Sequence, residues 1–333
     1  MTTSARCRCA MLLIVLCMLA ACGSPAPSGA AVATTQPGAR PKTYQDLVVG
    51  FAQIGAESEW RTANTRSLQE TATRLGVELK LVDAQQQQAN QIKAIRSFIA
   101  QRVDVIGVAP VVETSWDAVF AEVQRAGIPL ILLDRHADVP DHLFSAFIGS
   151  DFVQEGRRAC QEMATLLTDE GEIVVLEGTA GSAPTIDRRT GFDACLQTFP
   201  KIRVLDRQAG DFIRARGKEV MKTFLTAHGR RIDALFAQND DMALGAIEAI
   251  EEYGLKPGVD IKIVSIDAVR AAFEAMVAGK LNVTIECNPL LGPPFFDTAL
   301  KLANDMPVAK RVTSEEAIYR QVTAAQELPK RQY

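Results

Sequence analysis

A chain of 333 residues with 47% hydrophobic and 23% charged side chains has the composition of a soluble globular protein and room for two domains of ordinary size. A formal net charge of −4, with Lys and Arg scattered rather than clustered, leaves no basic surface and excludes a nucleic-acid partner.

The N-terminus sets the compartment. Arg6 and Arg8 precede an apolar run from Ala10 to Leu19, which meets Leu19-Ala20-Ala21-Cys22. This is the pattern of a secretion signal over residues 1–22, with an apolar stretch too short to span a bilayer and small residues suited to a peptidase cleft. The LAAC string resembles a bacterial lipobox. That resemblance implies acylation of Cys22 as the first mature residue, a membrane anchor through its lipid, and a protein exported to the periplasm or to the outer face of the cell membrane. An ordinary signal with an incidental cysteine is the plainer alternative. Residues 23–44, rich in Ala, Ser, Pro, Thr and Gly, read as a flexible tether.

Of seven cysteines, Cys7, Cys9 and Cys17 leave with the signal and Cys22 is modified, so Cys160, Cys195 and Cys287 stay in the globular part. Cys160 and Cys195 fall on two expected helices of one lobe, where an oxidising compartment permits a bridge. Two buried thiols satisfy the sequence equally well.

From Leu47 the chain alternates strand and helix. Val48-Val49-Gly50-Phe51 is a β-rich run, followed by a helix from Trp60 to Leu75 closed by Gly76. Strand 78–82, helix 89–100, strand 103–109, helix 116–126, strand 128–133 and strand 147–150 complete one lobe. The second half repeats the plan, with strands at 173–176, 203–205, 234–237, 263–266 and 282–285. Continuous apolar strands between amphipathic helices indicate parallel sheets covered on both faces. The fold class is α/β, two Rossmann-like lobes. Ligands of such sheets bind beyond the carboxyl ends of the strands.

Those ends are polar: Gln53 to Arg61, Asp83-Ala84-Gln85, Asp134-Arg135, Glu177-Gly178-Thr179, Asp211, Gln238-Asn239-Asp240-Asp241, Asp267 and Glu286-Cys287-Asn288. A sugar exposes hydroxyls that donate and accept around a ring with apolar C–H faces, so its site needs carboxylates, amides, guanidiniums and an aromatic plate. Asp134 with Arg135, Arg188 and Asp267 suit the polar roles, and Trp60 suits the plate. Gln85 directly follows a strand end and is a further candidate contact, unless the run Gln85 to Gln88 is only a solvated helix start.

The strings VGFAQIGAESEWR, DAQQQQANQIKAIRSFIAQRVDVIGVAPV, IPLILLDR, TIDRRTGF and QNDDMALGAI closely resemble the galactofuranose-binding receptors of bacterial ABC transporters. These belong to the type I periplasmic sugar-binding family, which includes ribose receptors, and the resemblance covers Leu47 to Tyr333. It implies a type I periplasmic binding protein fold with a three-crossing hinge. The first lobe would hold 45–149 and 286–311, and the second 150–285 and 312–333. A monosaccharide would lie between them and pass to a permease and ATPase complex, the receptor being a monomer. Carried over by position, the family's contacts fall on Asp134, Arg135, Arg188, Asn239 and Asp267. Ser58, Trp60 and Arg61 match the first loop of galactofuranose receptors, as does Glu286, whereas Cys287 stands where ribose receptors place an amide.

Other features have plainer readings. Asp241 is expected to cap a helix from Met242 to Tyr253, and Trp116 to pack inside its lobe. His136, His142 and His228 lack partners at zinc-ligand spacing, and no alternating-Asp calcium loop occurs, so neither metal nor cofactor is expected. Carboxylates interleaved with Arg and Asn suit holding a neutral polyol rather than glycoside hydrolysis, and no enzymatic activity is expected. A sensor that presents its ligand to a chemoreceptor or membrane kinase remains the alternative to uptake. A sugar-responsive repressor would need a DNA-binding helix-turn-helix where this chain has its signal and tether.

Overall fold

The computed structural model describes residues 40–333, so the signal 1–22, Cys22 and the tether up to residue 39 lie outside the described residues. Residues 42–44, within the stretch expected to be tether, are among the described residues and already make fixed contacts. Lys42 is already fixed, its amide donating to Asn304 Oδ1 at 2.7 Å and its ammonium pairing with Asp104, and a 3-10 turn follows at Tyr44–Asp46.

The first half comprises β1 (Val48–Gln53), α1 (Glu59–Leu75), β2 (Glu78–Asp83), α2 (Gln88–Ala100), β3 (Val105–Val108), α3 (Asp117–Arg125), β4 (Leu130–Leu133) and β5 (Ala146–Gly149). α4 (Phe152–Leu167), β6 (Gly171–Glu177), α5 (Ala183–Leu196), β7 (Ile202–Ala209), α6 (Arg214–His228), β8 (Ala234–Ala237), α7 (Asp240–Glu252), β9 (Lys262–Asp267), α8 (Arg270–Val277) and β10 (Val283–Glu286) form the second. The chain closes with α9 (Gly292–Ala303), β11 (Arg311–Thr313), β12 (Ile318–Arg320) and α10 (Ala324–Glu327). Local chemistry sets the ends: Ser58 Oγ accepts from the Arg61 amide at the start of α1, and Gly76 ends the helix with a φ of +78°, a backbone state that costs glycine nothing.

Two six-stranded sheets result, ordered β11-β5-β4-β3-β1-β2 and β12-β10-β9-β8-β6-β7. The first is parallel throughout, and in the second only β12 runs antiparallel to its neighbour. β3, β4, β5 and β8 are buried along their whole length, which explains why their sequences are unbroken apolar runs.

Between these sheets the chain crosses three times: after β5, after β10, and between β11 and β12. After the second crossing α9 packs on α1, its Gly292 amide donating to Ser67 Oγ. The third crossing lies at 314–317. Arg311–Thr313 pairs as a whole with β5, so the first lobe keeps two residues beyond the expected boundary at 311. The crossings are tied together: Ser150 and the Asn288 amide both donate to Glu316 Oε1. Burial, with Glu155 nearby, pushes the Glu316 carboxyl up to about 9.

Candidate functional site

Beyond the carboxyl ends of both sheets lies a pocket with about 300 Å³ of empty space, open solvent at its mouth included. Loops after β1, β4, β7, β8 and β10, the end of β9, and the first turns of α4 and α5 all reach it, placing Glu57, Ser58, Trp60, Arg61, Asp134, Arg135, Phe152, Pro184, Arg188, Phe212, Asn239, Asp267 and Cys287 around one space. Arg61, Arg135, Arg188, Asn239 and Asp267 are each at most 4% exposed, so the lobes are closed.

Three arginines organise it. Arg61 Nη2 donates to Asp134 Oδ2 at 2.5 Å and Nε to Glu57 Oε1 at 3.2 Å, with Gln53 and Asn64 oxygens at 3.4 Å. Burial would lower the Arg61 pKa, yet the charges of Asp134 and Glu57 hold it above the ordinary value. Arg188, on the second lobe, donates from Nε to Glu155 Oε2 at 2.7 Å and from Nη1 to the Gln238 carbonyl at 2.6 Å, with Asp267 at 3.7 Å. Its pKa is likewise raised against burial, by Glu155 first. This pairing depends on Gly156, where a Cβ would sit 1.9 Å from the Arg188 carbonyl oxygen, so only glycine lets α4 and α5 approach so closely.

Arg135 is held differently. Its one close partner is the Val111 carbonyl at 3.2 Å, while Glu57 and Asp134 stand 3.8 Å away and its buried Nε donates to nothing. Burial, reinforced by the neighbouring Arg61 charge, lowers its pKa to about 10. Glu57 Oε2 is also buried without a partner. Orphaned polar atoms at a cavity are costly unless a guest completes them. Asp134, just after β4, and Asp267, the last residue of β9, have φ of +65° and +130°, backbone strain of the kind that collects at ligand clamps. Burial holds the Asp267 carboxyl well above its usual range, opposed by Arg188.

Eight positions singled out in the sequence line this space: Ser58, Trp60, Arg61, Asp134, Arg135, Arg188, Asn239 and Asp267. Trp60, expected as an aromatic plate, is tied into the second lobe. Its Nε1–H donates to the Cys287 carbonyl at 2.6 Å, the Arg61 guanidinium lies 4.6 Å from its ring, and the ring packs into the second lobe's apolar core.

Two of the ten lie elsewhere. Gln85 is exposed, because its turn takes a left-handed backbone (φ +52°) and the next amide bonds back to the Ile54 carbonyl. Glu286 points to the opposite side of its strand from Cys287, as alternation requires, and meets Arg331 and Tyr333 at 3.0 and 2.9 Å. Nor does Asp241 cap its helix. Asn239 does, accepting from the Met242 amide, while Asp241 accepts from the Glu59 amide of the facing lobe at 2.8 Å. Trp116 is fully buried and stacks on Phe120.

The aromatic walls Phe152 and Phe212 were not singled out. Phe212 lies between two arginines, 5.3 Å from that of Arg135 and 5.9 Å from that of Arg188. Its ring occupies the space a Cβ at Gly178 would fill. The available signal was its place just after a strand-end aspartate, Asp211.

The second lobe also contains a disulfide between Cys160 and Cys195, whose Cα atoms are 6.1 Å apart, and Cys287 is a buried free thiol.

Residues 49–291 match the family model described as a periplasmic binding protein domain. The chain belongs to that family. It is 42% identical over 290 residues to the galactofuranose-binding protein YtfQ of Escherichia coli K12, covering 86% of this chain and 91% of that protein. Among solved structures, one from Mycobacterium smegmatis in complex with β-D-fucofuranose is 50% identical, with a TM-score of 0.84 over 86% of this chain and 95% of that one. The periplasmic binding component of the arabinose transporter of Shewanella sp. ANA-3, bound to α- and β-L-arabinofuranose, is 45% identical with a TM-score of 0.83 and the same coverage. The two sheets and three crossings are thus those of a type I periplasmic binding protein.

Proposed function

We propose that this chain is the substrate-binding lipoprotein of a sugar importer: it closes on one neutral monosaccharide between its lobes and delivers it to a membrane permease driven by an ATPase. The observation that carries this reading is the convergence of Arg61, Asp134 and Arg135 from one wall with Arg188, Asn239 and Asp267 from the other, around one shared pocket. The three guanidiniums face the carboxyls of Glu57, Asp134, Glu155 and Asp267, so fixed charge is nearly balanced and an ionic guest would gain little. Neighbouring hydroxyls, each donating and accepting, match alternating carboxylates and forked donors, and Phe152 and Phe212 suit a ring's C–H faces.

Galactofuranose-like sugars, pentoses or hexoses, are the guest class the relatives favour. Ser58, Trp60, Arg61, Asp134, Arg135, Arg188, Asn239 and Asp267 are the proposed contacts. Closure on the sugar selects the form a permease engages. The protein acts outside the cytoplasm as a monomer, anchored through lipid on Cys22, with 23–41 as its tether.

Thermal melting of residues 41–333 against a panel of pentoses and hexoses tests this. A sugar at 100 times its dissociation constant should add about 2.7 kcal/mol of stability. No shift with any sugar would end the proposal. A mature protein that partitions into detergent through Cys22, and loses this when Cys22→Ser is expressed, is the expected outcome for the anchor.

A further inference from the structure

The residue after Arg135 meets the residue before Arg188. His136 Nε2 lies 2.8 Å from Asp187 Oδ2 across the cleft rim, and His136 Nδ1 lies 3.4 Å from Glu113 Oε1 on its own lobe. None of the three lines the cavity. Beside them the Glu113 amide donates to the Gly181 carbonyl at 2.9 Å, a second bond between the lobes. We propose that His136, Asp187 and Glu113 form a proton-dependent latch on the cleft, which couples closure, and with it sugar affinity, to pH. The affinity half of this rests on the sugar-binding reading above.

The two ring nitrogens each face a carboxylate, Nε2 that of Asp187 and Nδ1 that of Glu113, so a doubly protonated ring would donate to both. One ligand atom from each of the three residues also lies within 4.8 Å of the others, so a metal ion is the competing occupant that the test must separate from a proton. Closure brings Asp187 to a ring that already has Glu113 at its other nitrogen, and it partly buries the group, as side-chain exposures of 30% for His136, 24% for Asp187 and 12% for Glu113 indicate.

The groups around the ring act in a consistent direction. The hydrogen bond to Asp187 on α5 raises the His136 pKa; burial opposes this, the charges of Asp187 and Glu113 add to it, and Arg311 on β11 opposes it. Phe147 on β5 presents only a ring edge, 6.2 Å away. Burial raises the Glu113 carboxyl; His136 opposes this, while Asp187 and Asp138 add to it. A histidine whose pKa is raised by closure favours the closed state fully below its open-state pKa, and this preference is lost as pH rises through the closed-state pKa. Strong acid, by protonating Glu113, removes one of the two anions.

The test places a donor and an acceptor dye on exposed positions, one per lobe, through Gln101→Cys and Lys222→Cys. The closed-to-open ratio is then measured without sugar and with sub-saturating L-arabinose. From about pH 6 to about pH 8.5 the ratio should fall about five-fold, within the tenfold per pH unit that one linked proton allows. In His136→Gln and Asp187→Asn it should be flat. A flat ratio in the unsubstituted protein, or the same fall in His136→Gln, overturns the latch. A ratio that follows added Zn²⁺ and chelator rather than pH also overturns it, in favour of a metal bridge. If L-arabinose leaves the ratio unchanged at every pH, the sugar reading is what fails, and the sugar-free ratios still decide the latch.

Discussion

The two walls of the cleft use the same residue type in opposite ways. On the second lobe Arg188 is fully engaged, by Glu155, the Gln238 carbonyl and nearby Asp267. On the first lobe Arg61 is similarly caged, but Arg135 has one carbonyl partner and a buried Nε that donates to nothing. A caged arginine is part of the scaffold, and removing it strands its carboxylate. An under-partnered one keeps its hydrogen bonds for something else, and removing it relieves the empty protein.

The largest effect should come from breaking the rigid wall. Arg188→Ala leaves Glu155 buried and unpaired, and is expected to lower stability by about 3–5 kcal/mol as well as abolish sugar binding, read by denaturant titration and calorimetry. Cys160→Ala follows, at about 3–4 kcal/mol for the loop of 35 residues closed in that lobe, with sugar affinity kept at temperatures where the protein stays folded. Arg135→Gln sharpens the contrast: affinity should fall by about 2 kcal/mol while the ligand-free melting temperature holds or rises. Equal losses of stability in Arg135→Gln and Arg188→Ala would erase the distinction. Gln85→Ala should change affinity and stability by no more than about 0.5 kcal/mol.

How far the sequence reaches is instructive at the two loops that follow the edge strands β2 and β7. β2 ends in Asp83 and β7 is followed two residues on by Asp211, and both looked like ligand loops. After β2 come glutamines, which satisfy themselves in a turn and stay in solvent. After β7 comes Phe212, which gains by burial and finds room only because residue 178 lacks a side chain. That pairing links residues 34 positions apart, so no local pattern contains it. The parallel sheets were legible because their central strands are apolar runs of helix-separated, uniform character. β11 and β12, three residues each, are too short for any periodicity, and they decide where the last crossing falls. Glu286 and Cys287 were distinguishable only by strand alternation, whose phase must be known before it helps.

The described chain enters by a mooring on one lobe: Lys42 bonds to Asn304 and Asp104, and β1 starts six residues later. A pull applied from upstream is therefore borne by the first lobe alone. The second lobe is joined to it by three short crossings tied together at Glu316, and it is this half that would swing while its companion stays moored.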